Sequence, residues 1–295
     1  MNAKQKRGCG ILLIVSVVLL SILALLPDAD VDHDAGYTAS ELSIRETVDG
    51  SVTSTSYVNS DGVITDAIDM GYATMCRMQD DSGRVVEECY FDANGDPVAR
   101  YGDHYGVSYE YDETGTVITY HDAEGNPIMC NGGYSTIVRT LVDGRESDDF
   151  YYDLNRQQVQ CSGGYYGTHR EFNTEGQNTS LTFFDKDGHA VSSSSGYAIK
   201  TYQRDMDGTI VSEQYFDTEG NPVRSLLGQY DESYKRNEQG YIGQITYLDA
   251  DGNPAPTNAG YTILKRTYHR DGTADTDMYF DANGNPMVLS KGQYG

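Results

Sequence analysis

Residues 90–98 read YFDANGDPV, and this block returns with small changes along most of the chain. The other copies are YVNSDGVIT from Tyr57, YHDAEGNPI from Tyr120, YYDLNRQQV from Tyr151, FFDKDGHAV from Phe183, YFDTEGNPV from Tyr215, YLDADGNPA from Tyr247 and YFDANGNPM from Tyr279. Their starts lie 33, 30, 31, 32, 32, 32 and 32 residues apart. A regular period of this size is typical of a tandem-repeat protein.

Two further landmarks recur within each unit. A Gly-Tyr pair follows the block start by about 14 residues, in a looser form in three units, and a D-x-x-G or N-x-x-G sequence such as DMDG from Asp205 comes seven or eight residues later. Asp at the first position and Gly at the fourth favour a type I turn with a bulge. Each unit is therefore predicted to reverse direction twice.

The spacing between these turns predicts strands. Nine residue steps separate Gly83 from Asp92, and most units share this count, but only seven separate Gly115 from Asp122. Side chains of a strand alternate between its faces, so a change of two residues is tolerated and a change of one is not. With no helical periodicity downstream of the N-terminal segment, we predict an all-β fold, an elongated tandem array of antiparallel β-hairpins with about 32 residues per unit. Eight repeats, the last partial, cover residues 57–295.

The repeat also resembles known families. Residues 109–115 read YEYDETG, and with the following YxDxxGNP pattern they resemble the YD repeats of rearrangement-hotspot (Rhs) and teneurin-type proteins. The pattern is also similar to MORN-like hairpins and to the Gly/Tyr hairpins of cell-wall-binding repeats. The YD resemblance, over about residues 57–295, implies β-hairpin units at the cell surface, sometimes wound into a shell around a toxin.

Residues 9–26 form an uncharged apolar stretch, CGILLIVSVVLLSILALL, preceded by Lys4, Lys6 and Arg7 and followed by four aspartates. At 1.5 Å per residue it spans about 27 Å, close to a hydrocarbon core of about 30 Å. Positive flanks stay inside, so we predict a cytoplasmic segment 1–8, a transmembrane signal-anchor 9–26 and an extracytoplasmic remainder in which 27–56 is an acidic linker with half a repeat. A cleaved signal peptide is the alternative, and it places the same part outside.

Charge and motif content exclude several functions. The chain has 21 Lys and Arg against 45 Asp and Glu, a net charge of −24, which disfavours nucleic acid as a partner. The sequence contains no nucleophile elbow, H-E-x-x-H, P-loop or G-x-G-x-x-G motif, and its six histidines are scattered. We therefore predict a non-catalytic protein.

The repeated tyrosines fall into two sets. The block tyrosines, such as Tyr90 and Tyr215, are replaced by Phe183 in one unit, which favours an inter-repeat core. The Gly-Tyr set keeps its hydroxyl in every one of these copies, and these are the predicted ligand-binding residues: Tyr72, Tyr134, Tyr165, Tyr197 and Tyr261. Tyr offers a flat apolar face and a polar tip, so the expected ligand is a cell-envelope polymer or glycan, or a protein partner. A passive spacer or stalk is the alternative, and an envelope enzyme comes third.

The acidic turns suggest weak Ca²⁺ binding, and no other cofactor is expected. Sequences such as DANGD and DADGN place oxygen ligands close together, with Asp92, Asn94, Asp249 and Asp251 as candidates. An EF-hand loop needs Gly at its sixth position and a distant Glu, which these turns lack. The alternative is that the Asp and Asn side chains close the turns.

Four cysteines lie beyond the apolar segment. Cys130 and Cys161 both fall ten residues after a block start and are the predicted disulfide pair in an oxidising compartment. Cys76 and Cys89 flank one turn: a two-residue loop would make them face each other, and the three-residue loop favoured by Asp80 places them on opposite faces. No C-x-x-C or close His pair indicates a metal site.

Overall fold

A computed structural model describes residues 37–269 and 274–289. The predicted cytoplasmic segment 1–8 and signal-anchor 9–26 lie outside the described residues. Within the described part, no helix is long and apolar enough to cross a membrane. A short 3-10 helix, Ala39–Glu41, precedes the first strand.

Sixteen strands make up the rest of the regular structure. The first eight are Ser43–Asp49 (β1), Val52–Val58 (β2), Thr74–Gln79 (β3), Val85–Phe91 (β4), Gly106–Tyr111 (β5), Gly115–His121 (β6), Thr136–Val142 (β7) and Arg145–Tyr152 (β8). The second eight are Gly167–Phe172 (β9), Asn178–Phe184 (β10), Ile199–Arg204 (β11), Ile210–Phe216 (β12), Asp231–Arg236 (β13), Ile242–Leu248 (β14), Ile263–Tyr268 (β15) and Ala274–Phe280 (β16).

The strands form one open antiparallel sheet in which the spatial order equals the chain order. Each repeat contributes two strands, and this confirms the predicted all-β hairpin array. The chain divides into two compact units, residues 1–140 with 151–157, and residues 141–150 with 158–295. Residues 43–56, assigned from sequence to the linker and half repeat, hold β1 and most of β2, and these two strands form a hairpin.

Asp side chains close most of the turns, as the DMDG turn illustrates. The Asp205 Oδ1 atom accepts hydrogen bonds from the backbone N–H groups of Asp207 (3.0 Å) and Thr209 (2.9 Å). The fourth residue, Gly208, has φ +80°, a left-handed conformation that glycine adopts without steric cost. One block departs from this pattern, because Arg156 occupies the glycine position with φ +60°.

Two bulges explain the nine-residue count. In the β11–β12 hairpin the turn glycine is one extra residue, and a register shift beside Arg204 supplies a second. The β5–β6 hairpin has neither, since Asp112 and Gly115 close a two-residue loop and Tyr111 pairs with Thr116 without a shift. The expected bulged turn at Asp112 is therefore wrong, and Gly115 belongs to β6. Removing both bulges together leaves every side chain on its original face.

An equivalent pair of bulges in the β3–β4 hairpin corrects the prediction for Cys76 and Cys89. The three-residue loop after Asp80 is present, but a second register shift lies between Met78 and Gln79. This second bulge reverses the face change made by the first. Cys76 and Cys89 are therefore direct cross-strand partners and do not lie on opposite faces.

The two faces of the sheet differ in chemistry. One face, here called the aromatic face, carries the block tyrosines at the ends of the even-numbered strands. The other face buries small polar side chains in the first unit, where the Ser56 and Thr74 hydroxyls are 2.9 Å apart. It also holds a compact apolar cluster around Val52 and Phe91. The packed interior is thus local to neighbouring hairpins.

Candidate functional site

Within each of the two compact units, the block tyrosines and the Gly-Tyr tyrosines alternate in a line of rings, here called the aromatic row. In the first unit the row runs through Tyr57, Tyr72, Tyr90, His104, Tyr120, Tyr134 and Tyr151, with ring centroids 4.6–5.9 Å apart. In the second unit it comprises Tyr165, Phe183, Tyr197 and Tyr215, and then Tyr247, Tyr261 and Tyr279, at 4.5–5.8 Å. Tilted and edge-to-face ring pairs at these distances are mutually stabilising.

A tight turn at the Gly-Tyr sequence positions the ring of the Gly-Tyr tyrosine. The Cys130 N–H donates to the Tyr134 carbonyl (2.8 Å), and Gly133 at the turn has φ +82°. The Tyr134 ring then lies against Gly132, where an added Cβ would be 2.5 Å from a ring carbon. The tyrosine ring therefore packs directly on the glycine two positions before it. The next repeat has the same arrangement at Gly163.

Exposure differs between the two sets at most positions, although the block tyrosines Tyr57, Tyr120 and Tyr279 are half-buried. The block rings Tyr90 and Tyr215 are 1% and 5% exposed, as expected for core residues. Among the predicted ligand-binding tyrosines, Tyr72 is also buried, at 4%. The other members, Tyr134, Tyr165, Tyr197 and Tyr261, are half-buried. In the second unit Tyr197 is thus a partly exposed ring between the buried rings of Phe183 and Tyr215.

Two positions of the aromatic row hold residues that the Gly-Tyr motif does not indicate. His104 lies 14 residues after Tyr90, and its ring contacts Tyr90 and Tyr120. Gln229 lies 14 residues after Tyr215, is 2% exposed and donates to Glu232 at 2.6 Å. Counting a fixed 14 residues from each block start, in place of searching for Gly-Tyr, would have identified both.

Ion pairs accompany the row on the aromatic face. They are Arg77–Glu88 (2.8 Å), Arg170–Asp149 (3.0 Å), Lys200–Glu213 (3.1 Å) and Arg266–Asp277 (2.6 Å). The strand register places them beside the rings, because residues two apart in a strand share a face. The Arg266 guanidinium contacts both oxygens of its carboxylate, a bidentate geometry. The face therefore combines apolar rings with charged hydrogen-bonding groups.

Burial shifts the tyrosine hydroxyls further toward their neutral form. It raises the pKa of Tyr72 to about 12 and also raises the pKa values of Tyr134, Tyr197 and Tyr261. Removal from water disfavours the charged phenolate. At neutral pH each hydroxyl is thus available both to donate and to accept a hydrogen bond.

The candidate Ca²⁺ ligands take part in turn closure. Asp92 Oδ1 accepts from the N–H groups of Asn94 and Asp96, both at 2.9 Å, and Asp249 Oδ1 accepts from that of Asp251 at 3.0 Å. Over the described residues, no group of three or more His, Cys, Asp or Glu side chains is placed to hold a metal ion. The aspartates thus close their turns, which is the alternative role given to them above. Ca²⁺ binding stays a prediction.

The four cysteines that follow the apolar segment are buried free thiols. Cys130 belongs to the first unit and Cys161 to the second. The disulfide between these two stays a prediction.

Comparison with known proteins gives matches to solved structures. No family model matches the chain, and no curated protein matches it. A porin-like protein from Bacteroides uniformis ATCC 8492 is similar with a TM-score of 0.34 and 12% identity, covering 83% of this chain and 91% of that one.

Tc toxin structures are weakly similar as well. The Tc holotoxin pore of Photorhabdus luminescens gives a TM-score of 0.20 at 13% identity over 86% of this chain, and the TcdB2–TccC3–TEV structure gives 0.19 at 12% identity. This chain spans only 17% of the length of those toxin chains. At such low TM-scores, none of these similarities carries an argument about what the protein does.

Proposed function

We propose that this protein is a membrane-anchored extracytoplasmic repeat protein that binds a neutral cell-envelope glycan along its aromatic row. The observation that carries the proposal is the recurrence of a partly exposed tyrosine ring beside a buried ring on one face of the sheet, in four of the repeats, at Tyr134, Tyr165, Tyr197 and Tyr261. Each hairpin advances the sheet by two strand spacings, about 9.6 Å. This is comparable to the length of one disaccharide in an extended polysaccharide.

The chemistry of the face suits sugar rings better than charged polymers. A tyrosine ring stacks on the apolar face of a sugar, and its neutral hydroxyl bonds to the sugar hydroxyls. Ion pairs such as Arg266–Asp277 add charged donors and acceptors beside the rings. The net charge of −24 repels anionic polymers, so a neutral glycan is the favoured ligand.

Binding of the full chain to glycan arrays and isolated cell walls tests the proposal. The triple variant Tyr134→Ala, Tyr165→Ala and Tyr197→Ala is expected to bind at least about tenfold more weakly, because each ring contact contributes about 0.5–1.5 kcal/mol. The matched control is Tyr241→Ala, an exposed ring outside the row. An unchanged circular dichroism spectrum excludes unfolding as the cause.

The same measurement separates the alternatives. If the wild-type chain binds no envelope fraction, the passive spacer or stalk replaces the glycan-binding proposal. Capture of a single envelope protein, with equal loss in the triple variant, would replace the glycan by a protein partner on the same rings. Loss of binding in Tyr241→Ala alone would move the site away from the row.

The anchor belongs to the proposal because the apolar run 9–26 has basic residues before it and acidic residues after it. Protease added outside intact cells is expected to degrade the repeats and to spare the N-terminal segment. Release of a shortened, soluble chain would indicate the cleaved signal peptide. Assignment of the hairpins to the YD type is part of the same proposal, and the antiparallel hairpin array supports it.

A hydrolase is the second candidate, for one specific reason. On the face opposite the aromatic row, Ser108 Oγ lies 2.7 Å from His121 Nε2, and His121 Nδ1 lies 3.1 Å from the Gly125 carbonyl oxygen. Burial lowers the pKa of His121, which favours the neutral base that a serine nucleophile needs. Turnover of a simple ester by the wild type and its loss in Ser108→Ala would favour this candidate.

A further inference from the structure

Two buried cysteines face each other across one hairpin. Cys76 of β3 and Cys89 of β4 are direct partners in the antiparallel register. Each is 3% exposed, and both belong to the apolar cluster with Val52 and Phe91. The pairing follows from the two bulges of this hairpin, so it is a property of the folded chain and not of simple residue counting.

The backbone geometry suits a covalent bond between them. Residues directly opposite in an antiparallel pair have Cα atoms about 4.5–5.5 Å apart. Disulfides join cysteines whose Cα atoms are about 4.4–6.8 Å apart, so the register brings this pair within the separation that a disulfide requires. The Cys76 Sγ now contacts Ser54 Oγ at 3.2 Å, and the Cys89 thiol donates to Glu87 Oε1 at 3.6 Å. Rotation about the two Cα–Cβ bonds exchanges these contacts for a sulfur–sulfur bond.

We infer that Cys76 and Cys89 are a disulfide site, oxidised while the β3–β4 hairpin is still accessible and then enclosed by the folded sheet. The inference goes beyond the proposed function and does not depend on any ligand. Oxidation precedes complete folding, because the folded chain shields both sulfurs from an oxidant. Burial also raises the pKa of Cys76 to about 11, so little thiolate is present once folding is complete.

The oxidant is a second disulfide, either a small molecule or the active site of an oxidoreductase. One cysteine thiolate attacks it, forms a mixed disulfide and releases the first reduced thiol. The other cysteine then attacks the mixed disulfide, forms the Cys76–Cys89 bond and releases the second thiol. The two cysteine protons end on the two released thiols.

The bond would hold the bulged register of this hairpin. It closes a loop of twelve intervening residues that contains the turn at Asp80 and the register shift beside Met78. A slip by one residue would invert the faces of β4, and a covalent link between opposite positions forbids that slip. The unfolded chain loses freedom as well, which stabilises the folded state.

Peptide mapping of the full chain tests the inference. The detergent-solubilised chain is unfolded, refolded in mixtures of oxidised and reduced glutathione, blocked with an alkylating reagent in denaturant, and digested with trypsin. Cleavage after Arg77 and Arg84 separates the two cysteines, so the bond joins peptide 46–77 to peptide 85–100. The expected result is this linked pair, two hydrogens lighter than the sum of the reduced peptides, resistant to reductant until the chain is unfolded.

Two results would overturn the inference. One is complete alkylation of both cysteines at every glutathione ratio. The other is Cys76 or Cys89 joined chiefly to a different cysteine. The double variant Cys130→Ala and Cys161→Ala is the matched control and is expected to keep the linked pair. Cys89→Ala is expected to abolish it without changing the circular dichroism spectrum.

Discussion

Gly115 offers the most direct test of the hairpin geometry described for β5 and β6. A Cβ atom added there would lie 1.9 Å from the Arg139 carbonyl oxygen of the adjacent β7 strand. Gly115 is buried, and its φ is outside the left-handed region, so a substituted alanine meets a steric obstacle and no backbone strain. The change Gly115→Ala therefore isolates the close approach of two strands.

The magnitude follows from the distances. Ordinary contact begins near 3.4 Å, so the two strands must separate locally by about 1.5 Å. Neighbouring strands lie about 4.8 Å apart, and a separation of that size breaks the nearest ladder hydrogen bonds. Losing one or two such bonds costs about 0.5–1.5 kcal/mol each, and overpacking costs about 1–3 kcal/mol. We expect Gly115→Ala to lower the free energy of unfolding by about 2–4 kcal/mol.

Gly83→Ala is the matched control in the same unit. Gly83 has φ +78° with no atom within 4 Å of its added Cβ, so alanine there meets conformational strain alone, about 1–2 kcal/mol. Urea unfolding followed by far-ultraviolet circular dichroism and tyrosine fluorescence compares the variants, with 25 Tyr and no Trp providing the signal. If Gly115→Ala unfolds at the same urea concentration as Gly83→Ala, or higher, the proposed strand contact is wrong.

Three further predictions concern single residues. Arg156→Gly is expected to raise the melting temperature, because relief of about 1–2 kcal/mol of left-handed strain exceeds the added freedom of glycine in the unfolded chain, about 0.4–1 kcal/mol; a lower melting temperature would contradict this. Burial raises the pKa of Glu87 to about 7 from 4.5. The folded state then binds the proton more tightly, so stability falls as pH rises from 4.5 to 7 and levels off above; melting at about pH 5 and pH 8 should show a smaller difference in Glu87→Gln, and an equal difference would refute the assignment. Asp249→Ala removes the acceptor for the N–H groups of Asp251 and Asn253 and should cost about 1 kcal/mol without Ca²⁺ and more with it; an equal cost with and without Ca²⁺ would contradict the predicted metal site.

The turns and the hairpin order could be predicted because they are local. A D-x-x-G sequence needs only its own side-chain oxygen and a glycine with positive φ, as Asp205 and Gly208 illustrate. Repetition at a constant period then implies that each hairpin packs on its neighbours. The two-residue difference before Asp122 was likewise interpretable, because strand faces alternate.

The cross-strand details could not be predicted in the same way. The shift beside Met78 leaves no clear mark in the sequence, yet it brings Cys76 opposite Cys89. In the same manner His104 and Gln229 occupy positions of the aromatic row that a search for Gly-Tyr passes over. Such features depend on the register between strands, which turn motifs constrain only at one end.

The amino-acid sequence alone determined the repeat, the turn positions and the acidic, tyrosine-rich character of the protein, because these depend on residues close together in the chain. Only the tertiary structure decided that the two tyrosine sets alternate in a row within each compact unit, that Tyr72 is buried while Tyr134 is partly exposed, and that Cys76 faces Cys89. The physical reason is that a bulge of one residue exchanges the faces of a strand, and its cost and position are set by packing against the neighbouring strand.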